Sequence, residues 1–245
     1  MNQSLARTAV VASTVRLLLA LLAMPGCTPS PMRAFAIVVD RSESIEDGTG
    51  SSCRVLAGVA SHLMMETGVD ARSTLQVWLT GDANGAPQQI FAPTAMPTAS
   101  GNMLDADTHV KGKRDAFLAT VVGACTAAVS QAGRSPIRIA VEAAAQALAG
   151  VGCGPNSNCG LVVVTDGQEN EDPALRDLIT PPKRASTLVP SPILAEGLSV
   201  RLCGWQAVRT KIDSPLLART ADAWRSTIEG ESRFSFDAAC PVGPG

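Results

Sequence analysis

Two apolar runs constrain this chain more than any other feature. Ala34 to Val39 is unbroken (AFAIVV), and Asp40, Ser42 and Ser44 follow it on alternate positions. Leu161 to Val164 is the second run, and Thr165, Asp166 and Gly167 end it. Neither run alternates apolar with polar residues. Each therefore reads as a strand buried on both faces, the pattern of a parallel sheet covered by helices. In such a sheet, ligands sit beyond the carboxyl ends of the strands, so the two sets of oxygen donors could meet there. Hard oxygens suit Mg2+, Mn2+ or Ca2+ better than zinc.

The rest of the chain alternates between the two periodicities. Cys53 to Thr67 predicts a helix with Leu56, Val59, Ala60 and Leu63 on one face. Ser73 to Leu79 alternates as a strand, and Gln88 to Phe91 returns after a turn as a short edge strand. Pro93 to Asp107 reads as loop, and Lys111 to Ala132 as a helix ended by Gly133. Ser135-Pro136 then opens a helix carrying Ile137, Ala140, Val141, Ala144 and Leu148 on one side. After the second apolar run come a short helix (Pro173 to Leu178) and an irregular stretch with four prolines (Thr180 to Pro192). A strand (Leu198 to Cys203), a helix (Ser214 to Ile228) and a last edge strand (Arg233 to Phe236) complete the pattern. This alternation predicts a doubly wound, mostly parallel α/β sheet flanked by helices, with one short antiparallel edge strand.

Asp40-Arg41-Ser42-Glu43-Ser44 resembles the D-x-S-x-S motif of von Willebrand factor type A domains. Thr165-Asp166-Gly167 resembles the T-D-G that ends a later strand of the same sheet, and the two motifs stand in the family's order. The resemblance covers roughly Ala34 to Asp237 and implies a metal-ion-dependent adhesion site. It implies that Ser42 and Ser44 bind the metal directly, that Asp40 braces the site, and that Asp166 acts through a bound water. The family's middle-loop threonine corresponds to Ser135, in Gly133-Arg134-Ser135-Pro136, where serine keeps the hydroxyl. Glu43 stands where the family often has glycine. Mg2+ is the first expectation for the ion, with Mn2+ or Ca2+ as alternatives. Hydroxyls and two carboxylates leave such an ion under-neutralised, so an Asp or Glu of a protein partner could complete its shell. Each residue also has a plainer reading: turn residues after strands for Asp40 and Asp166, loop polars for Ser42 and Ser44, and a helix cap for Ser135.

The N-terminus reads as an export signal over residues 1–26. Arg7 and Arg16 precede the short apolar run Leu17 to Met24, which is too short for a comfortable membrane span. Gly26-Cys27 resembles the end of a bacterial lipobox, which implies acylation of Cys27. Thr28 follows it, and by enteric sorting rules that residue favours the outer membrane over the inner. Residues 27–33 would then be a short tether, 34–237 the type A-like domain and 238–245 a tail. Setting Cys27 aside leaves Cys53, Cys125, Cys153, Cys159, Cys203 and Cys240, an even set that suggests disulfides in an exported chain. Cys153 and Cys159 flank a turn-rich loop and are the candidate pair. Zinc is the rival, but the sequence has no C-x-x-C pair. Cys125 and Cys203 also read as small buried hydrophobes.

Composition narrows the function. Hydrophobic residues make up 46% of the chain, enough for a sizeable core. Aromatics are only 3%, with no Tyr, which argues against stacking surfaces for sugars or single strands. Removing residues 1–26 leaves 18 basic against 22 acidic residues, so no basic face points to nucleic acid. His62 and His109 read as ordinary surface or half-buried residues. No Ser-His-Asp set and no G-x-S-x-G elbow can be read, so no enzyme is expected. A metal-dependent phosphohydrolase would need an acid where Ser42 stands. A structural envelope component that uses the domain without metal is the remaining alternative to an exported, metal-dependent binding protein.

Overall fold

The two apolar runs become adjacent central strands. In the computed structural model, β1 (Ala34–Val39) pairs in parallel with β2 (Thr74–Leu79) on one side and with β4 (Cys159–Val164) on the other. Beyond β4 the sheet continues in parallel through β6 (Leu198–Cys203) to β8 (Arg233–Asp237). Beyond β2 it ends in β3 (Gln88–Ala95), which is antiparallel. The order is therefore β3-β2-β1-β4-β6-β8. This is the expected mixed sheet with one antiparallel edge. A separate two-stranded ribbon pairs β5 (Ile193–Leu194) with β7 (Ile228–Glu229).

The structure describes residues 33–41, 51–66, 73–80, 86–97, 107–128, 136–169, 171–182, 188–204, 214–229 and 233–240. All of these lie in one compact unit. Residues 1–32, with Cys27, and 241–245 fall outside the described residues, while 238–240 of the expected tail are described.

Helices cover both faces, and the period-2 pleat of each strand feeds both cores. Ala34, Ala36 and Val38 of β1 and Leu161 and Val163 of β4 face one core. That core is closed by α3 (Ile137–Gly150), α4 (Pro173–Ile179) and α5 (Ser214–Thr227). Phe35, Ile37 and Val39 face the other core with Val162 and Val164, under α1 (Ser51–Glu66) and α2 (Asp107–Ala127). Leu56, Ile37, Leu161, Leu148 and Trp224 are fully buried, and each such side chain contributes about 1.5–3 kcal/mol relative to exposure. Gly160 stands beside Phe35 because an added Cβ would meet that ring at 3.1 Å.

The elements differ from the sequence reading at their ends. β3 runs on to Ala95 through Pro93, which an edge strand tolerates because the missing N–H faces no neighbour. Both α1 and α2 begin earlier than expected, at Ser51 and Asp107. α3 begins at Ile137, with Pro136 rather than Ser135 at the N-cap and no side-chain cap bond. Ser135 itself lies outside the described residues.

The six cysteines other than Cys27 are paired as Cys53–Cys125, Cys153–Cys159 and Cys203–Cys240, the last linking β6 to the expected tail. The expected Cys153–Cys159 pair is present. The reading of Cys125 and Cys203 as simple buried hydrophobes is corrected, because both are buried and also bonded. Among the described residues, no helix is long and apolar enough to cross a membrane.

Candidate metal centre

Strand order fixes where a ligand can sit. From β1 the chain adds β2 and β3 on one side, then β4, β6 and β8 on the other. The switch point therefore lies between β1 and β4, at their carboxyl ends. Asp40 and Asp166 stand there, one after each strand.

Backbone bonds lock the two ends together. The Asp40 amide donates to the Val164 carbonyl at 2.9 Å, and the Thr165 amide donates to the Cys203 carbonyl at 2.9 Å. The Thr165 hydroxyl donates to Asp40 Oδ2 at 2.9 Å and accepts the Gly167 amide at 2.9 Å. Asp40 and Thr165 are fully buried and Asp166 is 2% exposed. Two carboxylates are thus held out of water at neighbouring strand ends, where a charge must be compensated.

The turn after β4 is built around Gly167. Its φ of +76° favours glycine, and a Cβ there would come within 2.7 Å of Thr220 Cγ2. Its carbonyl accepts the Trp224 indole N–H at 2.9 Å, which ties the loop to α5. Asp166 Oδ1 accepts the Gln168 amide at 2.9 Å, an Asx turn that fixes its side chain. The Gln168 side chain reaches Thr220 Oγ1 at 3.1 Å.

Arg41, inside the D-x-S-x-S motif, donates to the carbonyls of Cys125 and Ala128 at 3.1 and 3.0 Å. A cation at the C-terminus of α2 satisfies carbonyls that the helix leaves open. Cys125 is also disulfide-bonded to Cys53 in α1. Arg41 is thereby tied to α2, which the disulfide links to α1.

Of the five expected metal residues, the described structure brings Asp40 and Asp166 to one place. Ser42, Ser44 and Ser135 lie outside the described residues. Among the described residues, no group of three or more His, Cys, Asp or Glu could hold a metal. The expected set does not require one, since three of its five members are serine hydroxyls. Its donors are all oxygen, which fits a small hard cation. His109 is exposed and His62 is half-buried on α1, as the sequence implied. Sequence reasoning missed Thr165 as the bond between the strand ends. It also missed Glu169, which is 3% exposed and accepts the Arg138 amide at 2.7 Å. Burial pushes the Glu169 carboxyl above its ordinary value, and three amide hydrogen bonds oppose that shift.

No protein-family profile matches the sequence, and no curated protein is similar to it at a significant level. Solved structures with a similar fold include the SpRpn10 VWA domain, at 12% identity and a TM-score of 0.43, covering 88% of this chain and 90% of that one. Manganese-loaded TRAP protein of Plasmodium vivax is 10% identical with a TM-score of 0.42, covering 85% and 69%. Proximal thread matrix protein 1 of the mussel byssus is 16% identical with a TM-score of 0.42, over 71% of this chain. The match spans only 38% of that protein's length. These likenesses are distant, and the fold class rests on the strand order and helix layers described above.

Proposed function

We propose that this chain is a binding protein that holds a divalent cation at the carboxyl ends of β1 and β4 and uses it to take a carboxylate from a protein partner. The observation that carries the reading is that Asp40 and Asp166 are both buried just past the ends of neighbouring strands at the switch point of the sheet, where the Thr165 hydroxyl bonds Asp40 and the Gly167 amide. Ser42, Ser44 and Ser135 would supply hydroxyl ligands, with Asp40 and Asp166 bracing the site and neutralising charge. When bound, the ion supplies a Lewis-acidic position for an incoming Asp or Glu. Mg2+ is the proposed ion and Mn2+ a convenient probe.

The same reading places the chain outside the cytoplasm, anchored to a membrane through acylated Cys27. The three disulfides support an oxidising compartment. The Thr165 bond to Asp40 also favours a second reading, because it satisfies part of that carboxylate without any ion. In that case the domain serves as a structural component of the envelope.

Thermal unfolding separates the two readings. Millimolar Mg2+ or Mn2+ is expected to raise the Tm of the full chain and to leave that of Ser42→Ala unmoved. Saturation at a hundredfold excess over Kd corresponds to about 2.7 kcal/mol of added stability. An equal rise in both proteins, or none in the wild type, favours the metal-free reading.

A further inference from the structure

A cavity of about 510 Å3 lies at the end of the sheet away from the two aspartates, where Cys159, Leu198 and Arg233 begin β4, β6 and β8. Its size is that of a small-molecule site. β4 is six residues long, so roughly 20 Å of strand separates the cavity from Asp166.

One wall is a closed loop. Cys153 and Cys159 are bonded, and the Ser157 hydroxyl accepts the Gly154 amide at 2.8 Å and donates to the Gly154 carbonyl at 2.6 Å. The Ser157 amide donates to the same carbonyl at 2.9 Å. The loop rests against Gly197, whose φ is +73° and where an added Cβ would come within 2.3 Å of the Gly154 carbonyl carbon. A link across only 6 residues gains the least from loop closure. What it fixes is the shape of this wall, and a wall fixed in advance costs less to order when a ligand arrives.

The other wall carries the chemistry. Ser199 and Arg233 are register partners on β6 and β8, on strands about 4.8 Å apart, and Asn158 lines the same cavity from the loop. All three are exposed, and among the described residues their side chains have no hydrogen-bond or ion-pair partner. Of the residues lining the cavity, Arg233 alone is charged. Its guanidinium is a planar fork that fits a carboxylate with two hydrogen bonds. Asn158 and Ser199 add an amide and a hydroxyl, which can both donate and accept. A carboxylate matches the single positive charge, whereas a phosphate dianion keeps one charge in excess. Leu198 is the one large apolar residue in the lining and is itself buried, so the walls suit a polar ligand.

We propose that this cavity binds a small hydroxylated carboxylate, held by Arg233 and oriented by Asn158 and Ser199. The site is separate from the metal centre and does not depend on it.

The test is a titration of the metal-free full chain, followed by two-dimensional amide NMR at the Asn158 side chain and the Gly197 and Ser199 backbones. Gluconate, a polyhydroxy monocarboxylate, should shift these signals saturably at millimolar concentration and leave the Gly167 amide unmoved at the other end of the sheet. Sorbitol, the same chain with an alcohol in place of the carboxylate, should move nothing. Inorganic phosphate should bind more weakly than gluconate. Arg233→Ala should weaken gluconate binding about tenfold or more, as expected for loss of a hydrogen bond to a charged group. Arg233→Lys keeps the charge without the fork and should fall between; it also serves if Arg233→Ala does not fold. Arg201→Ala removes the same charge from β6, where it pairs with Asp237 outside the cavity lining, and should bind gluconate as the wild type does. No shift with gluconate, or shifts at Gly167 instead, overturns the proposal. So does equal affinity for sorbitol or phosphate, wild-type affinity in Arg233→Ala, or equal weakening in Arg201→Ala.

Discussion

Thr165 carries more of the architecture than its size suggests. Its hydroxyl both donates to Asp40 and accepts from Gly167, with all three groups buried. Thr165→Val keeps the shape and leaves a carboxylate oxygen and an amide without that partner. The expected loss is about 1–3 kcal/mol, read as a lower urea midpoint at unchanged slope; a change below about 0.5 kcal/mol would show that the hydroxyl is dispensable. Glu169 makes a different prediction. Its carboxyl is held above the ordinary value of 4.5, chiefly by burial. From that value upward to the raised one, the folded chain binds more protons than the unfolded chain. The group's contribution to stability therefore falls as pH rises through the window. Urea denaturation of wild type and Glu169→Gln at stepped pH should give a difference, wild type minus variant, that declines with rising pH there. A flat or rising difference contradicts the burial argument. Neither residue's role was legible in the sequence. Thr165 meets Asp40 across 125 positions, and Gln168 to Asp172 reads locally as a solvated acidic stretch. Asp40 and Asp166 were legible because each stands within two residues of the end of an apolar run.

At the scale of elements, legibility followed length. β1 and β4 are runs with no polar interruption, and their burial on both faces left one sheet type open to them. β5 and β7 have two residues each, too few to show any period. β3 looked shorter because Pro93 resembles a loop signal, although an edge strand accepts it. The disulfides divide in the same way. The Cys153–Cys159 loop spans 6 residues and could be judged locally. Cys53–Cys125 and Cys203–Cys240 span 72 and 37 and depend on how helices and strands pack. Loop-closure entropy ranks their effects: about 4 kcal/mol for each long link and about 2 for the short one. Paired Cys-to-Ala variants should therefore unfold at lower denaturant in that order, with the Cys53–Cys125 pair the most damaging. A short link that costs as much as the 72-residue one would mean that native packing, not loop closure, sets the stabilisation.

The whole molecule is organised around the crevice between β1 and β4. The sheet turns there from one direction of growth to the other, and Asp40 and Asp166 are both buried just beyond the ends of those two strands. Arg41 ties the end of β1 to α2, and the Cys53–Cys125 link joins α2 to α1. Glu169 and Arg138 anchor the loop leaving β4 to α3. The central claim is that this braced crevice holds a divalent cation. Calorimetric titration of Mg2+ and Mn2+ into the full chain, beside Asp40→Ala and Ser42→Ala, tests it most directly. Saturable binding of one ion per chain, lost in both variants, is the predicted result. A folded wild type that takes up neither ion, or variants that bind as well as the wild type, would contradict the claim.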